Sequence, residues 1–183
     1  MRDALAATYT AAVMSSTPPA LIGPDEAALI GHPVSIHVAS RDALQRPHLM
    51  RAMGCRLSDD RRSLTLFLPA ASSRLVLDDL RANGQIAVVF SEPSSHRTLQ
   101  FKGRDAAVVA VLPGDEALVQ AYIGRFAEEI GGLGFADKVA KTMFDHRPED
   151  LVAVRFTPAA GFDQTPGPKA GEALGSDAAR GSR

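Results

Sequence analysis

Tryptophan is absent from this chain of 183 residues, cysteine occurs once, aromatics make up 5%, and neither sign of charge dominates. Each shortage excludes something. A single cysteine, Cys55, rules out an intrachain disulfide and a multi-cysteine zinc site, and it fits a reducing cytoplasm. The 20 Lys and Arg against 21 Asp and Glu leave a net charge of −1, so no basic field points to nucleic acid. No apolar run approaches the length of a membrane span, and no membrane partner is expected. Ala4–Met14 is mildly apolar but carries Thr8, Tyr9 and Thr10 behind Arg2 and Asp3. It reads as an N-terminal arm and not as a signal peptide. The histidines at 32, 37, 48, 96 and 146 have no helical metal spacing, so no metal site is expected. There is no Gly-x-Ser-x-Gly elbow, and no base stands beside Cys55 in sequence. No catalytic residue is assigned.

What the chain does have is alternation. Val34, Ile36 and Val38 alternate with Ser35, His37 and Ala39, as in a strand with one buried face. Pro47 opens a second strand through Leu57 with a bulge at Gly54, and Leu64, Leu66 and Leu68 mark a third. A helix over Ser72–Asn83, stopped by Gly84, leads to a strand over Gln85–Ser91, and a long strand runs from His96 to Val111, interrupted at Gly103. Six strand segments therefore precede residue 112, mostly joined by short polar turns. An antiparallel barrel is the economical way to pair them, since closure removes exposed edges.

Beyond Pro113 the period changes. Leu118, Tyr122, Phe126 and Ile130 form a helical stripe, ended by the glycines at 131, 132 and 134. A second helix is expected over Ala136–Phe144, and Leu151–Phe156 returns a strand to the barrel. Three regions follow: residues 1–32 as an arm with a short helix over Asp25–Ile30, 33–160 as the β domain with a helical insertion at 114–147, and 161–183 as a flexible tail of Gly, Pro, Ala and charge.

The stretch richest in chemistry is Ser72-Ser73-Arg74, which puts two hydroxyls and a guanidinium at a helix start. A plain N-cap explains it, with Ser72 or Ser73 satisfying the first N–H groups. On local sequence the cap is the better reading, and an anion site for a group such as a phosphate gains only where other strands supply complementary groups. Arg51, mid-strand between Met50 and Ala52, needs a partner because an unpaired buried charge is costly. Thr98 and Gln100 share a strand face with His96 and Lys102, and beside a cleft they could bond a heterocycle.

In order and spacing, Val34–Gly103 resembles the pyridoxamine-5′-phosphate-oxidase-like FMN-binding split barrels. Arg46-Pro47-His48 looks like the family's start of the second strand, and Leu64–Pro69 like the strand whose end flanks the flavin. Ser72-Ser73-Arg74 looks like its phosphate turn, Leu80–Asn83 like its helix end, and Arg97–Gly103 like its Arg-x-hydrophobic-x-hydrophobic-x-Gly strand. The resemblance covers about half the chain, and implies a six-stranded antiparallel split β-barrel holding FMN at the interface of a cytoplasmic homodimer. Carried over by position, Ser73 and Arg74 would hold the FMN phosphate with help from Arg51. Ala52 and Met53 would offer backbone groups to the ring, Phe67 and Leu68 would lie against it, and Thr98 would stand where the oxidases place a flavin-contacting glutamine. The implied activity is flavin-dependent redox chemistry on an unidentified small molecule with a small-molecule electron donor. The alternative is a non-catalytic flavin- or haem-binding stress or sensor protein, with His48 or His96 as the haem ligand. Three departures stand out: Met50 occupies the place of the family's arginine, with Arg51 one position later; arginine replaces lysine in the phosphate turn; and Val152–Gln164 lacks the Arg-x-His element that grips pyridoxine phosphate. The chain is therefore not read as the vitamin B6 oxidase itself.

Overall fold

The alternation at Ser35–Arg41 folds as read, with every second side chain buried. A computed structural model of the chain describes residues 20–175, so the arm before residue 20 and the final residues of the tail, 176–183, lie outside the described residues. In chain order the elements are α1 (Pro24–Gly31), β1 (Ser35–Arg41), β2 (Pro47–Arg51), β3 (Cys55–Leu57), β4 (Leu64–Pro69), α2 (Arg74–Asn83), β5 (Ile86–Ser91), β6 (Thr98–Gly103), β7 (Ala107–Val109), α3 (Asp115–Gly132), α4 (Asp137–Met143), β8 (Leu151–Phe156) and β9 (Ala160–Asp163).

The molecule is mainly β with flanking helices, and all its strand pairs are antiparallel. The pairing corrects the expectation of one six-stranded barrel. Nine described strands form two sheets, ordered β2-β1-β5-β6-β9 and β3-β4-β8-β7, and no closed barrel results. Two glycines account for most of the difference. Gly54 has φ +129°, and a Cβ there would sit 3.3 Å from Tyr122 Cβ, so the expected second strand breaks into β2 in one sheet and β3 in the other. Between them Ala52 N–H bonds Ile36 O in the first sheet, while Met53 N–H bonds Phe67 O in the second. Gly103 does the same for the long strand: a Cβ would lie 2.5 Å from Phe156 Cδ2, and β6 and β7 part company just beyond it.

Inward residues of the five-stranded sheet, among them Ile36, Val38, Val88, Phe90 and Phe101, pack with Leu64, Leu66, Val154 and Phe156 of the other sheet. Strand β4 is buried at all positions, as a strand covered on both faces must be. The helical insertion brings Tyr122, Phe126 and Phe144 together, with ring centroids 5.4–6.0 Å apart. Tyr122 ties it to the sheet by donating to Val34 O at 2.7 Å. Residues 160–163, where composition alone reads the end of the domain and the start of a tail, pair with β6 as β9, because Gly161 lets the backbone lie against the Phe101 ring. No helix among the described residues is long and apolar enough to cross a membrane.

Candidate functional site

The Ser-Ser-Arg turn is positioned by β4 and by the loop before β8. Ala70 N–H bonds Asp150 O at 2.7 Å and Ala71 N–H bonds Asp150 Oδ1 at 2.9 Å, which fixes the chain as it leaves β4. A cleft of about 460 Å³ opens beside this loop, lined by Ala71, His146, Arg147 and the carboxylates of Asp145, Glu149 and Asp150. Ser73 then takes φ −96° and ψ 7°, outside the extended region a capping serine uses. In consequence its hydroxyl caps nothing. Ser73 is 1% exposed, and its Oγ has no hydrogen-bond partner among the described residues. The plain N-cap is therefore not what the turn provides, and the first N–H groups of α2 carry no capping side chain. Arg74 is exposed at the helix start. A buried hydroxyl and an exposed guanidinium thus stand on adjacent residues at a helix start, groups of the kind a phosphate takes.

The other residues singled out from sequence are placed differently. Arg51 ends β2 opposite His37. Its Nη1 donates to Ser35 Oγ at 2.6 Å, and its guanidinium lies 5.9 Å and 6.0 Å from the Phe126 and Phe144 ring centroids. The charge that seemed to need an anion is held by a hydroxyl and two ring faces. Thr98 lies at the same end of the sheet: Ser35 pairs with Ser91, and Ser91 Oγ meets Thr98 Oγ1 at 2.8 Å. Arg51, Ser35, Ser91 and Thr98 thus form one polar row across three neighbouring strands and the edge beside them. Among the described residues no hydrogen bond or ion pair joins that row to Ser73 or Arg74. Ala52, Met53, Phe67 and Leu68 have side chains no more than 2% exposed, and the N–H groups of Ala52, Met53 and Phe67 are already paired. These four residues present no open side-chain wall to a planar ring.

Two groupings escaped the reading of the sequence. Asp79 Oδ2 accepts from Ser40 Oγ and from His48 Nδ1, each at 2.7 Å, beneath α2. The signal was an acid on the apolar phase of the helix, between Val76 and Leu80. The second grouping is a cleft of about 410 Å³ whose charged lining is Arg41, Lys102 and Arg104. Cys55 stays inert, since burial pushes its thiol up to about 12 and leaves it protonated at neutral pH.

The sequence matches no protein-family model and none of the curated proteins compared with it. Solved structures do resemble the fold. HupZ of Group A Streptococcus is 18% identical over 82% of this chain and 99% of its own, with a TM-score of 0.51. A pyridoxamine 5′-phosphate oxidase-related, FMN-binding protein of Nostoc punctiforme is 13% identical over 85% of this chain and 88% of its own, at 0.47. HutZ, the haem storage protein of Vibrio cholerae, is 16% identical over 78% and 94%, at 0.46. At such identities the likeness speaks for fold alone. The chain shares its fold with HupZ, and the solved structures similar to it include pyridoxamine 5′-phosphate oxidase-related FMN-binding proteins, in keeping with the resemblance its sequence carries.

Proposed function

We propose that this chain is an FMN-dependent oxidoreductase acting on a small molecule, with the flavin phosphate held by Ser73 and Arg74 at the head of α2. The observation that carries the reading is the Ser73 hydroxyl, buried and without a partner. A buried hydroxyl left unpaired costs about 1–3 kcal/mol, and donation to a phosphate oxygen, reached by a rotation of the Ser73 side chain toward the helix start, would remove that cost. Arg74 adds charge from the exposed side, and the α2 N-terminus adds its dipole. Bound flavin would supply electron transfer between a reductant and the substrate, while the chain positions it.

The ring end calls for a second copy. Since residues 52–53 and 67–68 are enclosed within one chain, a homodimer is proposed in which the partner covers the ring. Leu75, 50% exposed and next to Arg74, is an apolar residue that such a contact would bury. The test is spectroscopic: purified protein titrated with FMN, then mixed with NADH or NADPH and reoxidised by oxygen. The reading expects a bound flavin whose absorbance bleaches and returns. Protein that binds no FMN contradicts it, and a bound flavin that never cycles makes this chain a binder and not an enzyme.

A second reading, haem carried without turnover, is favoured by one observation. Asp79 holds His48 Nδ1, leaving Nε2 with its lone pair, and the imidazole side chain is 23% exposed. A carboxylate-backed imidazole is a strong metal ligand. A Soret band that His48→Ala removes and His96→Ala preserves would favour this reading.

A further inference from the structure

The outer face of the five-stranded sheet carries an anion-binding trough that the flavin reading does not use. Ala39 pairs with Ala87, Ala87 with Lys102, and Lys102 with Ala160, so these side chains form one row on one face. At about 4.8 Å between strands the row spans about 14 Å. Its side chains are methyl groups except for Lys102, which allows a flat body to lie close to the backbone between β1 and β5. The next step along the strands brings in Arg41, Gln85 and Arg104, and the whole encloses a cleft of about 410 Å³, of the size that holds small ligands.

The charge of this cleft is one-sided. Among the described residues Arg41, Lys102 and Arg104 line it and no carboxylate does, in a chain whose overall charge is −1. The cations are also partly oriented. Arg41 Nη2 donates to Gln85 Oε1 at 3.0 Å and Nη1 to Asp42 O at 3.2 Å, leaving other guanidinium N–H groups uncommitted. Lys102 Nζ rests 5.0 Å from the Phe162 ring centroid. Arg104 has no hydrogen bond or ion pair among the described residues, and no carboxylate neutralises any of the three. Ser73 and Arg74 stand at the opposite end of α2, whose 10 residues extend about 15 Å.

We propose that this trough binds a planar heterocycle bearing a phosphate chain, a ligand of the nucleotide class, with the ring on the Ala39–Ala87 floor and the phosphates on Arg41, Lys102 and Arg104. The site stands independently of the flavin. Adenosine diphosphate is the probe, with pyrophosphate and adenosine as its separated halves, measured by calorimetry on the full chain. Adenosine diphosphate is expected to bind, adenosine at least about ten-fold more weakly, and affinity to fall as salt rises. The double variant Lys102→Gln, Arg104→Gln changes two exposed side chains, so folding is retained, as circular dichroism will verify; it is expected to weaken binding at least about ten-fold while leaving FMN affinity unchanged. Absence of adenosine diphosphate binding, or binding that survives the double variant, overturns the proposal. Pyrophosphate binding as tightly as the diphosphate overturns the role of the alanine floor. If the double variant abolishes FMN binding and Ser73→Ala does not, the flavin itself occupies the trough, and the second site and the placement of the flavin at Ser73 both fail.

Discussion

Arg51 and Ser73 show how differently two polar residues can be resolved once the chain is folded. Both are recognisable in sequence as groups needing a partner. Arg51 finds its partners at a distance, in Ser35 and in rings 75 and 93 positions further along the chain, contacts that no local pattern announces. Ser73 finds none among the described residues, and that is legible only from its backbone angles. Arg51 also acts on its register neighbour. Burial, and then the Arg51 guanidinium, hold His37 below its ordinary value of 6.5. Below that value the unfolded chain binds more protons at this position than the folded one, so stability is full above about pH 6.5 and falls as the pH drops towards the folded value. Urea midpoints measured on either side of that window should fall toward acid, and His37→Asn should flatten the dependence. An unchanged slope in the variant would assign the acid loss to other groups.

At the scale of elements, most strands, α2 and the aromatic stripe of α3 follow from period and punctuation. The strand count does not, because a glycine that lets a strand change sheets looks the same in sequence as one that marks a bulge. Gly103 carries the clearer cost. A methyl group there meets Phe156 at 2.5 Å and Thr157 O at 3.0 Å, so Gly103→Ala should lower unfolding free energy by about 1–3 kcal/mol, read from the urea midpoint at constant m. The link between α2 and the β1–β2 hairpin rests on Asp79. Asp79→Ala leaves the Ser40 hydroxyl and the His48 ring without their acceptor, and should cost about 1–3 kcal/mol in the same experiment. A loss no larger than a surface substitution would mean water replaces the carboxylate.

For the whole molecule, composition and turn spacing point to a mainly β domain, and the two-sheet arrangement keeps that while replacing the single barrel. The split is what puts residues 52–53 and 67–68 inside one chain, where ring contacts were expected. The proposed homodimer would supply the missing wall, so the native chain should sediment as a dimer and Leu75→Asp should shift it toward monomer while weakening FMN binding. A monomeric native chain that still binds FMN would place the ring within one subunit. The central claim is that Ser73 and Arg74 grip the phosphate of a flavin, and the direct measurement compares FMN with riboflavin on native protein and on Ser73→Ala and Arg74→Gln. The account predicts that FMN binds at least about ten-fold more tightly than riboflavin, and that each substitution weakens FMN about ten- to 100-fold while leaving riboflavin unchanged. Equal affinity for the two flavins, or FMN affinity indifferent to both substitutions, would contradict it.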